Sequence, residues 1–352
     1  MNRCCVKLLP LMFLSTLPMW ATAQTYTPLA LGGLNQDIIA EAPTAKAHTS
    51  SSADSNGAIA TVLFSDSFPH PSTQVGLPNN GLLSAASGGA SFTYQLAAFN
   101  GNNALVTPAG QTKTTTLAAP TALSNLSLLV FATEQSKNAT YTLTFDDGST
   151  SVQPVTVVND WYSSAAARIS GYGRVVRNND TNFTSQTNQK YFGNELKLTC
   201  AEQKKKLSSI TLQAQDITPN NLKGNVVLLA ASGVAADVDA GAISGASTLE
   251  VAQSAVLSNP IPGGRWESSG IAIATVDATT GKVTAVAPGS VTITYTLPGL
   301  CSTPATHNIT INAAPITPPA PKAVPSLSEW FVIALSCLLA TLGVSLIRRR
   351  RC

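Results

Sequence analysis

Residues 330–347, WFVIALSCLLATLGVSLI, form an uncharged run that is followed at once by Arg348, Arg349, Arg350 and Arg351. A helix rises 1.5 Å per residue, so this run would be ~27 Å long, close to the ~30 Å hydrocarbon core of a bilayer. A helix apolar on every side and ending in an arginine cluster has no packing role in a soluble core. The run therefore predicts a membrane-spanning helix. Positive charge stays cytoplasmic, which makes residues 348–352 a cytoplasmic tail and places everything before the helix outside. Trp330 falls where an interfacial aromatic belongs.

The other end carries an export signal. Arg3 and Lys7 start it, an apolar stretch follows, and Ala21 and Ala23 flank Thr22 in a small-x-small pattern that predicts cleavage before Gln24. Export explains the charge. Without Arg3, Lys7 and the four tail arginines, 21 basic residues become 15 against 18 acidic, so the region between the ends carries −3. That balance argues against a nucleic-acid partner. Lys204, Lys205 and Lys206 make its one basic run, read as a solvated turn. Of six cysteines, Cys4 and Cys5 lie in the signal, Cys337 in the apolar run and Cys352 in the tail. Cys200 and Cys301 remain; export permits a disulfide, but they fall in different expected modules, so their pairing stays open.

Residues 24–57, including the polar run AHTSSSADSNG, read as a flexible polar lead. Residues 58–230 read as one antiparallel β-sandwich, because short apolar or alternating runs recur between turns and no helical period is sustained. LSLLVF (126–131) is continuous, as a doubly buried strand would be. Thr140 to Phe145 alternates, and Asp147-Gly148 turns it back into a hairpin. Residues 231–244 are expected to link this domain to a second sandwich at 245–312. Residues 313–329 make a stalk, with the prolines concentrated before residue 326, expected to be extended.

Three resemblances sharpen this all-β outline. In the first domain, Tyr94, the Asn100-Gly101-Asn102-Asn103 segment, LSLLVF, the TFDDGST hairpin and Asp160-Trp161 resemble secreted jelly-roll modules similar to carbohydrate-binding domains; that implies a jelly-roll scaffold and no particular ligand. In the second, Trp266-Glu267-Ser268-Ser269, Ala274-Thr275-Val276-Asp277, Gly281-Lys282-Val283-Thr284-Ala285, Pro288-Gly289 and Val291 to Tyr295 resemble the bacterial Ig-like group 2 family, which implies a small sandwich serving as spacer or binding module. Residues 297–301 depart from that pattern. Finally Val324, Pro325, Ser326, Leu327, Ser328, Glu329 and Trp330, followed by the apolar run and the arginines, resemble the IPTL-CTERM sorting signal of Gram-negative bacteria. That implies cleavage by an exosortase-like transpeptidase and delivery to the cell surface.

Chemistry is sparse. Asp146, Asp147, Asp160 and Glu195 are the carboxylates a glycosidase would need in a pair. No nucleophile elbow, zinc-protease or P-loop motif accompanies them, and His48, His70 and His307 sit in unpromising contexts. No catalytic, metal or cofactor site is expected. The Asp146-Asp147-Gly148-Ser149 turn offers calcium ligands but reads better as a plain hairpin. Asn100, Asn102 and Asn103 offer amides and Trp161 a stacking ring as candidate ligand contacts, but the Asn segment reads better as a turn and Trp161 as core packing. The expectation is a non-enzymatic surface protein of adhesive or matrix type. Its partners would be the cytoplasmic membrane, a sorting transpeptidase and a surface polysaccharide or matrix. The alternative is a carbohydrate-active enzyme whose first β domain is catalytic.

Overall fold

The computed structural model of the chain describes residues 23–348 except 42, 55–59, 184–188, 218–222, 300 and 316–328. It is mostly β and divides into two compact units, Met1–Ala240 with Thr296–Pro304, and Gly241–Tyr295 with Ala305–Cys352.

Two sheets face each other at the heart of the first unit. One runs in the order Ile169–Tyr172, Gln189–Lys197, Leu123–Ala132, Asn225–Ala235, Thr25–Leu29, Ala90–Gln95, Leu82–Ser87, with Leu105–Pro108 also on Asn225–Ala235. The other runs Thr150–Val152, Lys137–Phe145, Leu207–Asp216, Thr112–Thr121, Leu31–Gly32, with Thr156–Val158 also on Lys137–Phe145. The core between them holds Leu126, Leu128, Val130, Leu196 and Leu228 from the first sheet and Tyr141, Leu143, Ile210 and Leu212 from the second.

The first sheet is buried on its outer face as well. Leu129, Phe131, Tyr191 and Val227 point into a second core with Ile38, Tyr94 and Trp161. Leu123–Ala132 is accordingly buried along nearly its whole length. This is why LSLLVF is unbroken: even positions fill one core and odd positions the other. Lys137–Phe145 faces a core on one side only, and its burial alternates strictly. A smaller sheet, Asn179–Phe183, Arg174–Val176, Thr61–Phe64, Ile39–Ala40, closes over Val62, Phe64, Phe68 and Val175.

The expected sandwich is therefore present, but larger than read. The flexible lead is not seen over the described residues of 24–57. Thr25–Leu29 lies antiparallel to Asn225–Ala235 and parallel to Ala90–Gln95, and Leu31–Gly32 then crosses to the opposite sheet. Tyr26, Ile38, Ile39 and Ala40 are buried. The polar run outweighs these few apolar residues in the sequence, yet Tyr26, Ile38 and Ile39 sit in the outer core and Ala40 in the core under the smaller sheet. The parallel pairs make the unit mixed rather than purely antiparallel. The expected linker also gives way: Asn225–Ala235 continues past residue 230, and the unit extends to Ala240.

In the second unit, Thr248–Glu250, Ala305–Asn312, Gly289–Thr296 and Arg265–Ser268 form one sheet, and Ser254–Val256, Lys282–Ala285 and Ala274–Val276 the other. Trp266 is buried against Tyr295, ring centroids 4.5 Å apart. The Tyr295 hydroxyl accepts from Gly264 N (2.8 Å) and donates to Ile261 O (2.7 Å). Gly281 sits at φ +70°, where a Cβ would lie 2.8 Å from the Trp266 ring, so both backbone and space demand glycine. Before it, Asp277 Oδ1 accepts from the backbone and hydroxyls of Thr279 and Thr280 at 2.8–3.1 Å.

Residues 297–301, where the pattern departs, belong to the first unit. Cys301 is disulfide-bonded to Cys200, across a sequence separation of 101. Cys301 N donates to Asp237 (2.9 Å) and Thr303 N to Asp239 (2.8 Å). Cys200 itself opens a one-turn helix, Cys200–Gln203, capped reciprocally by Thr199 and Glu202. The pairing left open by the sequence is thus made, because the segment bearing Cys301 leaves the second sandwich and folds with the first.

Candidate functional site

A cleft of about 380 Å³ opens in the first unit, bordered by Asn35, Gln36, Ser51, Asp54, Lys113 and Asn225, with Val106 and Pro108 as its apolar wall. Strand pairing brings these residues together from distant positions: Asn225 and Pro108 are register partners. Asn35 is fixed by two bonds to the Val106 backbone, Nδ2 to O (2.9 Å) and N to Oδ1 (2.8 Å). Asn225 is only 4% exposed; its Nδ2 donates to Ala53 O (2.9 Å). Asp54 accepts from Thr61 N (2.9 Å) and Thr61 Oγ1 (2.7 Å) and faces Arg174 at 3.5 Å. Burial nevertheless pushes the Asp54 carboxyl up from its ordinary value, against those bonds and the guanidinium.

A second cleft, about 350 Å³, is lined by Asp37, Glu41, His48, Ser50 and Asn100 among others. Burial raises Asp37 to about 6, against a hydrogen bond from Asn103. A third, about 410 Å³, is walled by Phe68, Phe183 and the rings of Pro43, Pro69 and Pro71, with His70 and Asp180 at its edge.

The candidate contacts read from sequence are mostly structural. Asn103 is fully buried: its Oδ1 accepts from Ile38 N (3.0 Å) and its Nδ2 donates to Asp37 (2.6 Å), tying the segment to the chain start. Asn102 donates to Leu34 O (3.1 Å). Asn100 lines the second cleft. Trp161 is 2% exposed, stacked on Phe131 at 4.9 Å and covered by Arg174 at 4.7 Å, so no ligand ring reaches it. A large ring served the core, as burial of its apolar area favours.

The carboxylates are committed to separate partners. Asp146 accepts from Lys206 N (3.1 Å). Asp147 takes Ser149 and the Lys205 ammonium (2.9 Å), and those bonds, the Ser149 hydroxyl first, lower it to about 2. Asp160 accepts from Gln135 N and Tyr162 N, both at 2.8 Å, and Glu195 pairs with Arg168. The Asp147-Gly148 turn closes the expected hairpin, Thr144 opposite Thr150. In the basic run, Lys204 pairs with Asp239 and Lys205 with Asp147, which leaves no free patch of three. Among the described residues no group of three or more metal-ligating side chains assembles.

A helix runs over Glu329–Arg348. Residues 331–341 are all exposed along it, Phe331, Val332, Leu335, Leu338 and Leu339 each by more than half. Ser336 and Thr341 turn their hydroxyls back onto helix carbonyls at 2.8–2.9 Å. The membrane-spanning helix expected over 330–347 is not supported: among the described residues no helix is long and apolar enough to cross a membrane. Ala23 is exposed; Ala21, Val324 to Ser328 and Arg349 to Arg351 lie outside the described residues, as do most of the signal and the stalk.

The profile of the bacterial Ig-like domain (group 2) matches residues 246–298. That module is a bacterial Ig-like domain. Its last strand, Ala305–Asn312, lies beyond the match, after the segment given to the first unit. The IPTL-CTERM motif matches residues 322–351, so the chain carries that sorting motif as well. No curated protein matches the chain. Among solved structures, the C-terminal 282-residue fragment of intimin, in complex with the translocated intimin receptor intimin-binding domain, is 18% identical, over 59% of this chain and 64% of that one, with a TM-score of 0.23. The adhesin domain of Epf from Streptococcus pyogenes is 8% identical over 75% and 92%, TM-score 0.22. The M60 catalytic domain with CBM51-1 and CBM51-2 from Clostridium perfringens ZmpB is 8% identical over 66% and 20%, TM-score 0.19. At such scores these likenesses carry no argument about role.

Proposed function

We propose that the protein is exported, held at the cytoplasmic membrane by its C-terminal helix, and then sorted to the cell surface, where it has a non-enzymatic adhesive or matrix role. The observation that carries this reading is the IPTL-CTERM motif at 322–351, coinciding with a helix whose described apolar side chains have no protein to pack against. An exposed apolar helix costs free energy in water and gains it in lipid. The internally satisfied hydroxyls of Ser336 and Thr341 suit the same setting. Arg348 to Arg351 would stay cytoplasmic and an exosortase-like transpeptidase would cut near Pro325. The bacterial Ig-like domain is then the module nearer the membrane in sequence.

The test follows one protein through fractionation. An intact precursor in the cytoplasmic membrane, digested by protease added to spheroplasts, supports anchoring. Mass spectrometry of the surface product is expected to lack peptides from 330–347; their recovery there would overturn the sorting step. An intact precursor that partitions wholly into the soluble fraction would overturn the anchor.

A further inference from the structure

We propose that the cleft between Gln36, Ser51, Lys113 and Asn225 binds a sugar ring, with preference for one bearing a carboxylate. This deepens the binding role proposed above by naming the site and the ligand class. The cleft differs from the other two in what its groups are free to do. Asn225 is almost wholly buried and spends its amide N–H on Ala53 O. Its Oδ1 has no hydrogen-bond partner among the described residues, and Asn225 lines the cleft, so this oxygen is an acceptor in want of a donor. Gln36 Oε1 accepts from Ser50 Oγ at 3.1 Å, which leaves the Gln36 amide N–H groups to donate. Ser51 Oγ has no partner among the described residues and can do either.

A fixed acceptor beside free donors is complementary to hydroxyl groups, each of which donates and accepts at once. A metal cation fits poorly, because both Asp54 oxygens are already engaged and Asn225 offers one neutral oxygen. Val106 and Pro108 give an apolar wall for the C–H face of a ring. Asn35, locked to the Val106 backbone on both amide atoms, holds the wall in place, so the site is built before the ligand arrives. Lys113 is exposed at the rim and makes no ion pair among the described residues, which supplies the preference for a carboxylate. The cleft volume suits one or two rings, at the small end of the ~300–1,000 Å³ usual for ligand sites.

Saturation-transfer NMR on the full chain in detergent micelles, with D-glucose and D-glucuronate as separate probes, tests this. Both sugars are expected to receive saturation at millimolar concentrations, glucuronate more strongly. Gln36→Ala combined with Ser51→Ala should weaken binding of both about tenfold, and Lys113→Gln should erase only the preference for glucuronate. These residues lie at the surface or half-buried, and an unchanged melting temperature confirms that the variants fold. No transfer to either sugar, or transfer unaltered by Gln36→Ala with Ser51→Ala, would overturn the proposal. Because the readout is binding in micelles, its failure leaves membrane anchoring and sorting untouched.

Discussion

Leu123–Ala132 in the first unit and Gly289–Thr296 in the second are both interior strands of their sheets, and they are buried differently. The first is covered on both faces; the second alternates, with Val291, Ile293 and Tyr295 inward and Thr292 and Thr294 only partly covered. A strand between two cores couples three layers of one unit. A strand on one core holds a sandwich together and leaves its outer face to solvent. The same β architecture thus carries different consequences for a lost side chain.

Phe131→Ala should break the first unit hardest. The ring is fully buried between Trp161 and Tyr191, and its loss should cost about 4–5 kcal/mol of that unit's stability while leaving the second unit's transition in place. Calorimetry resolving two transitions reads this, and Trp266→Ala should produce the mirror image. Removing the Cys200–Cys301 bond with both cysteines changed to alanine should cost roughly 4–5 kcal/mol, since the bond closes a loop over a sequence separation of 101, and both cysteines belong to the first unit. Urea unfolding with and without reductant gives the same comparison.

Lys137→Met is next. The Lys137 ammonium lies 3.3 Å from Asp216, 1% and 7% exposed, so the single change strands a buried carboxylate at a cost of about 3 kcal/mol. Lys137→Met with Asp216→Leu should recover most of it, a sign recoverable from the double-mutant cycle.

The smallest contrast is in pH. Asp37 rises from 3.8 unfolded to about 6 folded, so the folded state holds its proton more tightly. Its contribution therefore grows as pH falls from about 7 to about 4, and burial gives Asp54 and Asp160 the same sign. Asp277 in the second unit is held below the usual carboxylate range, chiefly by the Thr280 backbone, so its contribution is intact above about pH 4 and is lost below. The first unit's melting temperature should climb between pH 7 and pH 4 while the second's stays flat. Asp37→Asn should blunt the climb; a climb of equal size in Asp37→Asn would refute the assignment to this carboxyl.

The two units were also unequally legible. The Ig-like domain could be read almost throughout, because Trp266, the Asp277 turn and Gly281 act locally and in order. LSLLVF and the Tyr141 face were legible because period alone reports burial. What escaped was long-range. Tyr26 and Ile38 give no periodic signal, and only their pairing with strands far along the chain makes them core. Residue type leaves Asn103 and Trp161 open to either binding or packing, and burial decides for packing. The cleft at Gln36, Lys113 and Asn225 had no motif, since register rather than spacing assembles it.

The Cys200–Cys301 bond also changes what happens when the protein is stretched. Once Ala305–Asn312 has been pulled from its pairing with Gly289–Thr296 and Thr248–Glu250, tension entering at Asn312 has a covalent path through Cys301 to Cys200 that avoids the backbone of residues 241–295. With the bond intact, the backbone of residues 241–295 then lies off the covalent path. With it reduced, the same pull runs through about a hundred further residues, which at ~3.3–3.6 Å each adds roughly 350 Å of available extension. One covalent link thus sets whether the tether behaves as a short strap or a long spring.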